Sequence, residues 1–351
     1  AAMKSGVARK KIEDIEKYRE DLSRRLDPSM NIMQGINVQI KKSQKRVVFA
    51  EGEDPNILKA AVAFKNSKLG IPILIGKEEI VKEQLKNIGL DSNFNIEISS
   101  SKDNQRREKY TNYLYKKFQR SGMLERECDH MVRNDRVTWG ACMVGCGDAD
   151  AMVTGGTRHH AATVEKLTKV VEARPGEIIF GLTLMVSRGR TVFIADTNVH
   201  DNPTAEQLVQ IAISSTRVAK LFGFDPKVAF LSHSTFGKPA TERTKHVREA
   251  IELMKTKNVD FDYDGEMQPD VALNPEYKGT YPFSKIVGNA NVLIMPALHS
   301  ASISVKLMKT FGGAKLIGPM LIGLGLPIEV APLRSSPSDI LNLASIAAYS
   351  S

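Results

Sequence analysis

Residues 191–232 decide the fold class, because they contain an apolar run, a helical pattern and a second apolar run in succession. The runs are Thr191-Val-Phe-Ile-Ala-Asp196 and Val228-Ala-Phe-Leu-Ser232. Short, continuous apolar runs are typical of strands that are buried on both faces of a parallel sheet. A helix between two such strands makes a β-α-β unit, and the sequence therefore predicts the α/β class.

The segment between these runs predicts a helix over Thr204–Phe222. Thr204 and Gln207 have the spacing of a capping box, and Gly223 follows the last periodic residue as a stop signal. One face of this helix collects Leu208, Ile211, Ala212, Ser215, Ala219 and Phe222.

The same alternation extends toward both ends of the chain. Further buried strands are predicted at Val47–Ala50, Pro72–Gly76, Ala151–Thr154 and Val292–Pro296. Strands that alternate with helices predict mainly parallel sheets.

Composition narrows the function. The 351 residues are enough for two domains, and 42% hydrophobic with 25% charged residues is typical of a soluble globular protein. Cys128, Cys142 and Cys146 are expected to be free thiols in a reducing cytoplasm. No signal peptide is expected, because the N-terminus is charged and no apolar segment follows it, and no apolar run approaches the length of a membrane span. The net charge of +9 favours an anionic partner. With 6% aromatic residues and no recognised nucleic-acid motif, that partner is expected to be a phosphate-bearing metabolite, although many lysines can simply solvate the surface.

Eight short motifs occur in order between residues 48 and 319. They are Val48-Phe-Ala-Glu-Gly-Glu-Asp54, Gly147-Asp-Ala-Asp-Ala-Met-Val-Thr-Gly155, Ile194-Ala-Asp-Thr-Asn-Val, Pro203-Thr-Ala-Glu-Gln-Leu208, Leu231-Ser-His-Ser-Thr-Phe-Gly237, Asp264-Gly-Glu-Met-Gln268, Ala290-Asn-Val-Leu-Ile-Met-Pro296 and Gly312-Gly-Ala-Lys-Leu-Ile-Gly-Pro319. Each is weak alone. In this order, residues 45–351 resemble the phosphate acetyl/butyryl transferase (phosphotransacetylase) family.

The resemblance implies two α/β lobes with mainly parallel sheets and a cleft between them. Residues 45–155 plus 315–351 would form the first lobe, and residues 156–314 the second. It also implies a homodimer or higher homo-oligomer whose interface lies beside the cleft.

The segment before Asp339 departs from the family pattern. In active members, a Ser-Arg pair stands seven and six residues before an Asp that acts as general base toward the thiol of coenzyme A. Here those positions hold Pro332 and Leu333, and Arg334 comes one position late. The resemblance thus implies a ligand site that includes Arg334, Ser335 and Asp339, with no catalytic residue.

Asp339 also has a structural interpretation. Ser336-Pro337-Ser338-Asp339 has the pattern of a helix start, with Ser at the N-cap and an acid in the first turn. A carboxylate there is stabilised by the helix dipole, whatever the chemistry of the protein.

A second group of candidate ligand-binding residues is the turn of Thr154, Gly155, Gly156, Thr157 and Arg158. It follows a predicted strand, and its backbone N–H groups are able to hold a phosphate or thioester oxygen. An ordinary strand-to-helix turn is the alternative, and the neighbouring His159 and His160 are expected to line the cleft or the surface. Where active relatives carry an Arg that steers the anionic substrate, the resemblance places Glu165, which would repel acetyl phosphate.

A third group is Ser232, Ser234, Thr235 and Gly237, in the loop after another strand. Hydroxyls at the carboxyl end of a strand suit ligand binding, and turn or cap chemistry is the alternative. Active relatives have a Lys where Phe236 stands, with Lys238 nearby but displaced.

Two other patterns do not predict sites. Asp260-Phe-Asp-Tyr-Asp-Gly265 starts like a calcium loop, but its twelfth position is Val271 and Pro269 interrupts it. Gly145-Cys-Gly147 precedes a strand, whereas the glycines of a dinucleotide site follow one. No metal or nicotinamide site is therefore expected in this chain.

The first 44 residues are expected to belong to another unit. Residues 10–26 predict a charged amphipathic helix, and residues 1–25 resemble the tail of the malic-enzyme domain in bacterial hybrid malic enzymes. Asp27-Pro28 and the region to Lys45 would be the junction. An upstream domain would then bind NADP and a divalent metal.

Three functions remain open. The chain is expected to be a regulatory domain that binds acetyl-CoA, coenzyme A or an acyl phosphate and controls an attached NADP-dependent malic enzyme. Alternatively, it is an active phosphate acetyltransferase in which Arg334 replaces the missing Arg, or a module that only holds an oligomer together.

Overall fold

The structure, a computed structural model, describes residues 29–90, 96–239, 241 and 244–351. The helix predicted over residues 10–26 and the Asp27-Pro28 junction lie outside the described residues. Most of the remaining predicted junction is helical.

The elements of the first half, in chain order, are α1 (Ser29–Ser43), β1 (Arg46–Phe49), α2 (Pro55–Asn66), β2 (Ile71–Ile75), α3 (Glu78–Asn87), β3 (Glu97–Ser99), α4 (Asn104–Phe118), α5 (Glu125–Asn134), α6 (Arg136–Gly145), β4 (Ala151–Gly155) and α7 (His160–Thr168).

The elements of the second half are β5 (Phe180–Ser187), β6 (Arg190–Ala195), α8 (Ala205–Leu221), β7 (Lys227–Leu231), α9 (Lys245–Lys255), β8 (Asp262–Met267), α10 (Pro269–Leu273), β9 (Val292–Ile294), α11 (Leu298–Thr310), β10 (Lys315–Ile322), β11 (Ile328–Ala331) and α12 (Pro337–Ser350).

Two sheets organise these elements. The first has the order β11-β4-β1-β2-β3, and its strands are parallel. The second has the order β10-β5-β6-β9-β7-β8, in which β5 runs antiparallel to both of its neighbours and the other pairs are parallel. The predicted α/β class with two mainly parallel sheets is confirmed.

The predicted elements are present, with ends that differ by one or two residues. Strands form at each of the six predicted positions. Helix α8 has Thr204 as its N-cap, and the capping box with Gln207 is formed in both directions. The apolar face of α8 is buried because it packs on the second sheet, next to β6 and β9.

The segment Lys315–Ile322 differs from its predicted assignment. The sequence placed residues 315–351 in the first lobe, but β10 pairs with β5 along its length and is the edge strand of the second sheet. The chain crosses to the first sheet only after β10. The lobe boundaries themselves stay a prediction.

The structure shows the conformation of the two sequence patterns that were not interpreted as sites. The calcium-like segment is extended, since residues from Asp262 onward form β8. Gly145 ends α6 and the next strand, β4, follows, so the glycines stand before a strand. Within the described residues, none of the helices combines the length and apolar character needed to cross a bilayer.

Candidate ligand-binding cleft

The candidate site lies between the two sheets, where β4 and β11 end. These strands are parallel and pair Gly155 with Ala331, so the segments that follow them leave the sheet side by side. Binding sites of open α/β sheets form at this edge. The cavity has a volume of about 370 Å³, and we call it the interlobe cleft; its lining includes His160, Thr183, Asn198, Lys306, Arg334 and Asp339.

The Thr154–Gly156 turn is held by a buried carboxylate. The Thr154 hydroxyl and the Gly155 N–H donate to Glu51 at 3.0 and 3.1 Å. Burial raises the pKa of Glu51 to about 7. Gly155 has a φ of 96°, and a Cβ there would lie 2.4 Å from the Ala331 carbonyl oxygen, so this close approach requires glycine.

The Arg334 segment is tied to the same turn. The Arg334 N–H donates to the Gly156 carbonyl at 2.9 Å, and the Gly156 N–H donates to the Ala331 carbonyl at 3.0 Å. Arg334 has a φ of 61°, which is uncommon for a residue other than glycine. Residues 332–335 all line the cleft. Two of the three predicted groups of site residues therefore lie next to each other.

Asp339 takes part in a helix cap and also lines the cleft. Its Oδ2 accepts hydrogen bonds from the Ser336 hydroxyl at 2.8 Å and the Ser336 N–H at 3.2 Å. In return, the Ser336 hydroxyl accepts the Asp339 N–H at 3.2 Å. The helix start predicted from the sequence is confirmed, with Ser336 as N-cap, and the reciprocal bonds use one carboxylate oxygen of Asp339.

The loop after β6 enters the cleft from the other lobe. Buried Asp196 organises this loop by accepting backbone N–H bonds at 2.7–2.9 Å; the donors are Gly181, Asn198 and His200. The Asn198 side-chain amide nitrogen lies 2.8 Å from a ring nitrogen of His160. Burial lowers the pKa of His160 to about 4, so the imidazole is neutral near pH 7.

Three cationic side chains line the cleft. Lys306 and Lys309 lie one turn apart on α11, and Arg334 lies in the segment that follows β11. Across the described residues, no carboxylate lies within ion-pair distance of any of these three groups. Their charges are therefore available to an anion.

None of residues 154–158 lines the cavity, and the turn adjoins it only through the backbone bonds of Gly156 to Ala331 and Arg334. Thr157 is exposed, and the Arg158 guanidinium lies 3.8 Å from Asp135. Glu165, which was expected to repel an anionic substrate, is exposed on α7 and bonded to Lys169 at 2.9 Å. The Glu165 carboxylate is therefore paired with Lys169 at the surface and does not line the cleft.

The third predicted group does not line the cleft, because β7 is the second strand from the far edge of the second sheet, with β9, β6 and β5 between it and β10. The Ser234 hydroxyl and the Gly237 N–H donate to buried Glu266 at 2.7 and 3.1 Å. The Thr235 hydroxyl accepts the Gln268 N–H at 3.2 Å. Ser232 lines a different cavity, of about 810 Å³.

Phe236, at the position of the family lysine, belongs to an aromatic cluster. Its ring centroid lies 5.2 Å from that of Tyr281 and 4.8 Å from that of Phe283. This loop therefore presents an apolar ring at the position where the family resemblance implies a lysine.

Comparison with known proteins assigns the chain. The family described as phosphate acetyl/butaryl transferase matches residues 31–348. This chain belongs to that family. A phosphate acetyltransferase from Clostridium acetobutylicum is 32% identical, over 90% of this chain and 97% of that relative.

The transferase-family fold is shared with solved structures. A phosphotransacetylase from Streptococcus pyogenes has a TM-score of 0.85 and 31% identity, covering 92% of this chain and 98% of that one.

Longer relatives are named as malic enzymes. An NADP-dependent malic enzyme from Rhizobium meliloti is 44% identical over 99% of this chain, but the match covers 46% of that relative. The chain thus spans about half the length of the first curated relatives that it matches.

The sequence did not reveal Glu51, Asp196, Lys306 or Lys309 as parts of the site. The signal for the two acids was present, since each directly follows a buried apolar run. The lysines had only their spacing along one helix face, which is common on solvated helices.

Proposed function

We propose that this chain is a regulatory domain that binds acetyl-CoA or coenzyme A in the interlobe cleft and has no transferase activity. One observation carries the proposal. Among the described residues, the cleft collects three cations that have no carboxylate within ion-pair distance, yet Pro332 and Leu333 line it at the positions where the family resemblance puts the catalytic Ser-Arg pair. Such a site retains charge for binding an anion but lacks the groups that would orient and activate a thiol.

The size of the cleft supports a ligand that is only partly enclosed. A cavity of about 370 Å³ lies at the small end of ligand pockets, which span roughly 300–1,000 Å³. The acyl-pantetheine arm would enter the cleft. Lys306 and Lys309 are exposed at its rim, where they would meet the phosphates.

The parent protein would be an NADP-dependent malic enzyme. This proposal rests on the malic enzymes that match nearly all of this chain over about half of their own length. The remaining half would convert malate to pyruvate and CO₂ and bind NADP with a divalent metal. Gly145 and Gly147 do not fit a dinucleotide, because they end a helix and precede β4.

A phosphate acetyltransferase is the second candidate function, and the position of Arg334 favours it. Arg334 and Asp339 line the same cavity, although their spacing is one residue shorter than in active relatives. Arg334 would then supply the positive charge and Asp339 the base.

Exposed apolar side chains on α11 also support a role in forming a homo-oligomer. Helix α11 buries Ala301 and Val305 but exposes Ile303 and Leu307, and Phe311, which caps its C-terminal end, is 88% exposed. Apolar side chains exposed along one helix face favour a homo-oligomer whose interface lies beside the cleft.

A paired experiment tests the first proposal against the second. Acetyl-CoA binding is measured by calorimetry, and acetyl-CoA formation from acetyl phosphate and coenzyme A is measured on the same sample. We expect binding without turnover. Turnover of about 1 s⁻¹, the low end for ordinary enzymes, would establish the transferase instead.

The double variant Lys306→Ala/Lys309→Ala should weaken acetyl-CoA binding. Lys255→Ala is the matched control, because Lys255 is exposed and bonded to Glu252 away from the cleft. Equal affinity of the double variant and the control would remove the cleft from the proposal.

A further inference from the structure

The buried carboxyl of Glu329 links the edge strands of the two sheets. Glu329 lies on β11, the edge strand of the first sheet, and its Oε2 accepts the Leu321 N–H of β10 at 2.8 Å. β10 is the edge strand of the second sheet. The Glu329 side chain is only 4% exposed, so it satisfies an edge N–H that would otherwise have no strand partner.

The two chain crossings between the sheets lie beside this contact. One crossing follows α7 and the other joins β10 to β11. They are bonded to each other, since the Arg174 N–H donates to the Gly323 carbonyl and the Gly325 N–H donates to the Glu172 carbonyl, both at 2.8 Å. The two chain connections between the sheets therefore meet beside Glu329.

A cavity of about 560 Å³ opens at the Glu329 carboxyl. The charged and titratable groups around it are Arg174, Glu177, Arg217 and Tyr349. Arg217 is bonded to Glu177 at 2.7 Å and to Ser214 at 2.8 Å. Among the described residues, no cation lies within ion-pair distance of Glu329, and burial raises the pKa of its carboxyl to about 8.

The same two strands reach the cleft at their other ends. Leu316, Gly318 and Pro319 of β10 line the cleft, and so does the segment that follows β11. A change in the separation of β10 and β11 at Glu329 would therefore affect two strands whose other ends border the ligand site. Arg334 stands five residues after Glu329.

We propose that Glu329 is a proton-controlled latch between the two lobes: its neutral form holds β10 against β11, and its ionised form loosens the junction and opens the cleft. Ionisation would place a charge without a counter-ion in a buried site. Water that enters the 560 Å³ cavity beside Glu329 would reduce this cost, and the Leu321 N–H would then bond to water.

Hydrogen exchange of the intact chain between pH 6.5 and pH 9 tests the latch, after correction for the intrinsic pH dependence of exchange. We expect exchange at residues 321–329 to rise at least about tenfold more than exchange in α8, because opening at the junction is local. In Glu329→Gln, which keeps an acceptor but does not ionise, that additional rise should vanish.

Glu177→Gln is the matched control, since it removes a carboxylate from the same cavity without touching Leu321. It should retain the wild-type pH dependence. Should Glu329→Gln behave as wild type, or should exchange rise equally throughout the chain, Glu329 would be a buried acid and not a latch. The readout does not depend on which ligand occupies the cleft.

Discussion

At the scale of single residues, the cleft depends on carboxylates that face backbone N–H groups. Glu51 holds the turn of one lobe and Asp196 holds the loop of the other, and both are buried directly after a strand. Acids in such positions cost free energy unless donors surround them, so their presence indicates loops that must be fixed in place. The fixed loops bring His160 and Asn198 into contact.

Protonation of Glu51 gives a prediction with a definite sign. Its pKa is raised from 4.5 to about 7 in the folded chain, so the folded state binds this proton more tightly than the unfolded state does. The stability that this proton provides is complete below the unfolded pKa and is lost as the pH rises to about 7, by roughly 3 kcal/mol at most.

Glu51→Gln should therefore flatten the stability curve between pH 4.5 and pH 7. Chemical unfolding at several pH values measures it, with Glu79→Gln at an exposed position as the control. Parallel curves for wild type and Glu51→Gln would contradict the assignment.

Arg334 provides the second prediction. Arg334→Gln removes a charge from the cleft, and hydrogen bonds to charged groups contribute about 1.5–3 kcal/mol. We expect acetyl-CoA affinity to fall by about 10- to 100-fold in a calorimetric titration.

Arg188→Gln is a close control for Arg334→Gln. Arg188 also has a positive φ, 48°, and is exposed at the turn between β5 and β6. A loss of affinity in both variants would indicate a general electrostatic effect and not a contact in the cleft.

At the scale of elements, the sequence predicted the features that depend on neighbouring residues along the chain. Helix α8 could be predicted because its cap, its apolar face and its stop signal are all contained within the helix. The pairing of β10 with β5 could not, since it depends on residues more than a hundred positions apart. The placement of the Ser234 loop away from the cleft has the same origin, because strand order is not encoded in any one strand.

The cap of α8 gives a prediction at this scale. Thr204→Ala removes the side chain that accepts the Gln207 N–H, and loss of an N-cap typically costs about 1 kcal/mol. Urea unfolding should show this loss. Thr256→Ala, at an exposed C-cap, should have a much smaller effect; a comparable loss in both variants would mean that the cap has no special role.

At the scale of the whole molecule, the structure shows where some of the basic residues behind the net charge of +9 lie. Three cations border the cleft without a carboxylate partner in the described part of the chain, whereas several of the other basic side chains are bonded to carboxylates. The motif order predicted the family and the two-lobed fold, because many weak matches in sequence constrain one topology. Composition alone could not predict which lysines are unpaired, since pairing depends on how the helices pack.

The last prediction concerns coupling in the complete malic enzyme that we propose as the parent. If acetyl-CoA binds one arrangement of the two lobes more tightly, it must change the equilibrium of anything attached to them. Typical coupling of about 1–3 kcal/mol corresponds to a 5- to 150-fold change in affinity. We therefore expect acetyl-CoA to alter the malate or NADP kinetics of the full-length protein.

Arg334→Gln should abolish this response at the same acetyl-CoA concentration while leaving the rate without acetyl-CoA unchanged, because Arg334 lies in the cleft. Deletion of residues 45–351 should also abolish it. An acetyl-CoA response that survives the deletion would place the effector site elsewhere in the polypeptide, and a response that is lost only when the oligomer dissociates would make the chain an assembly module.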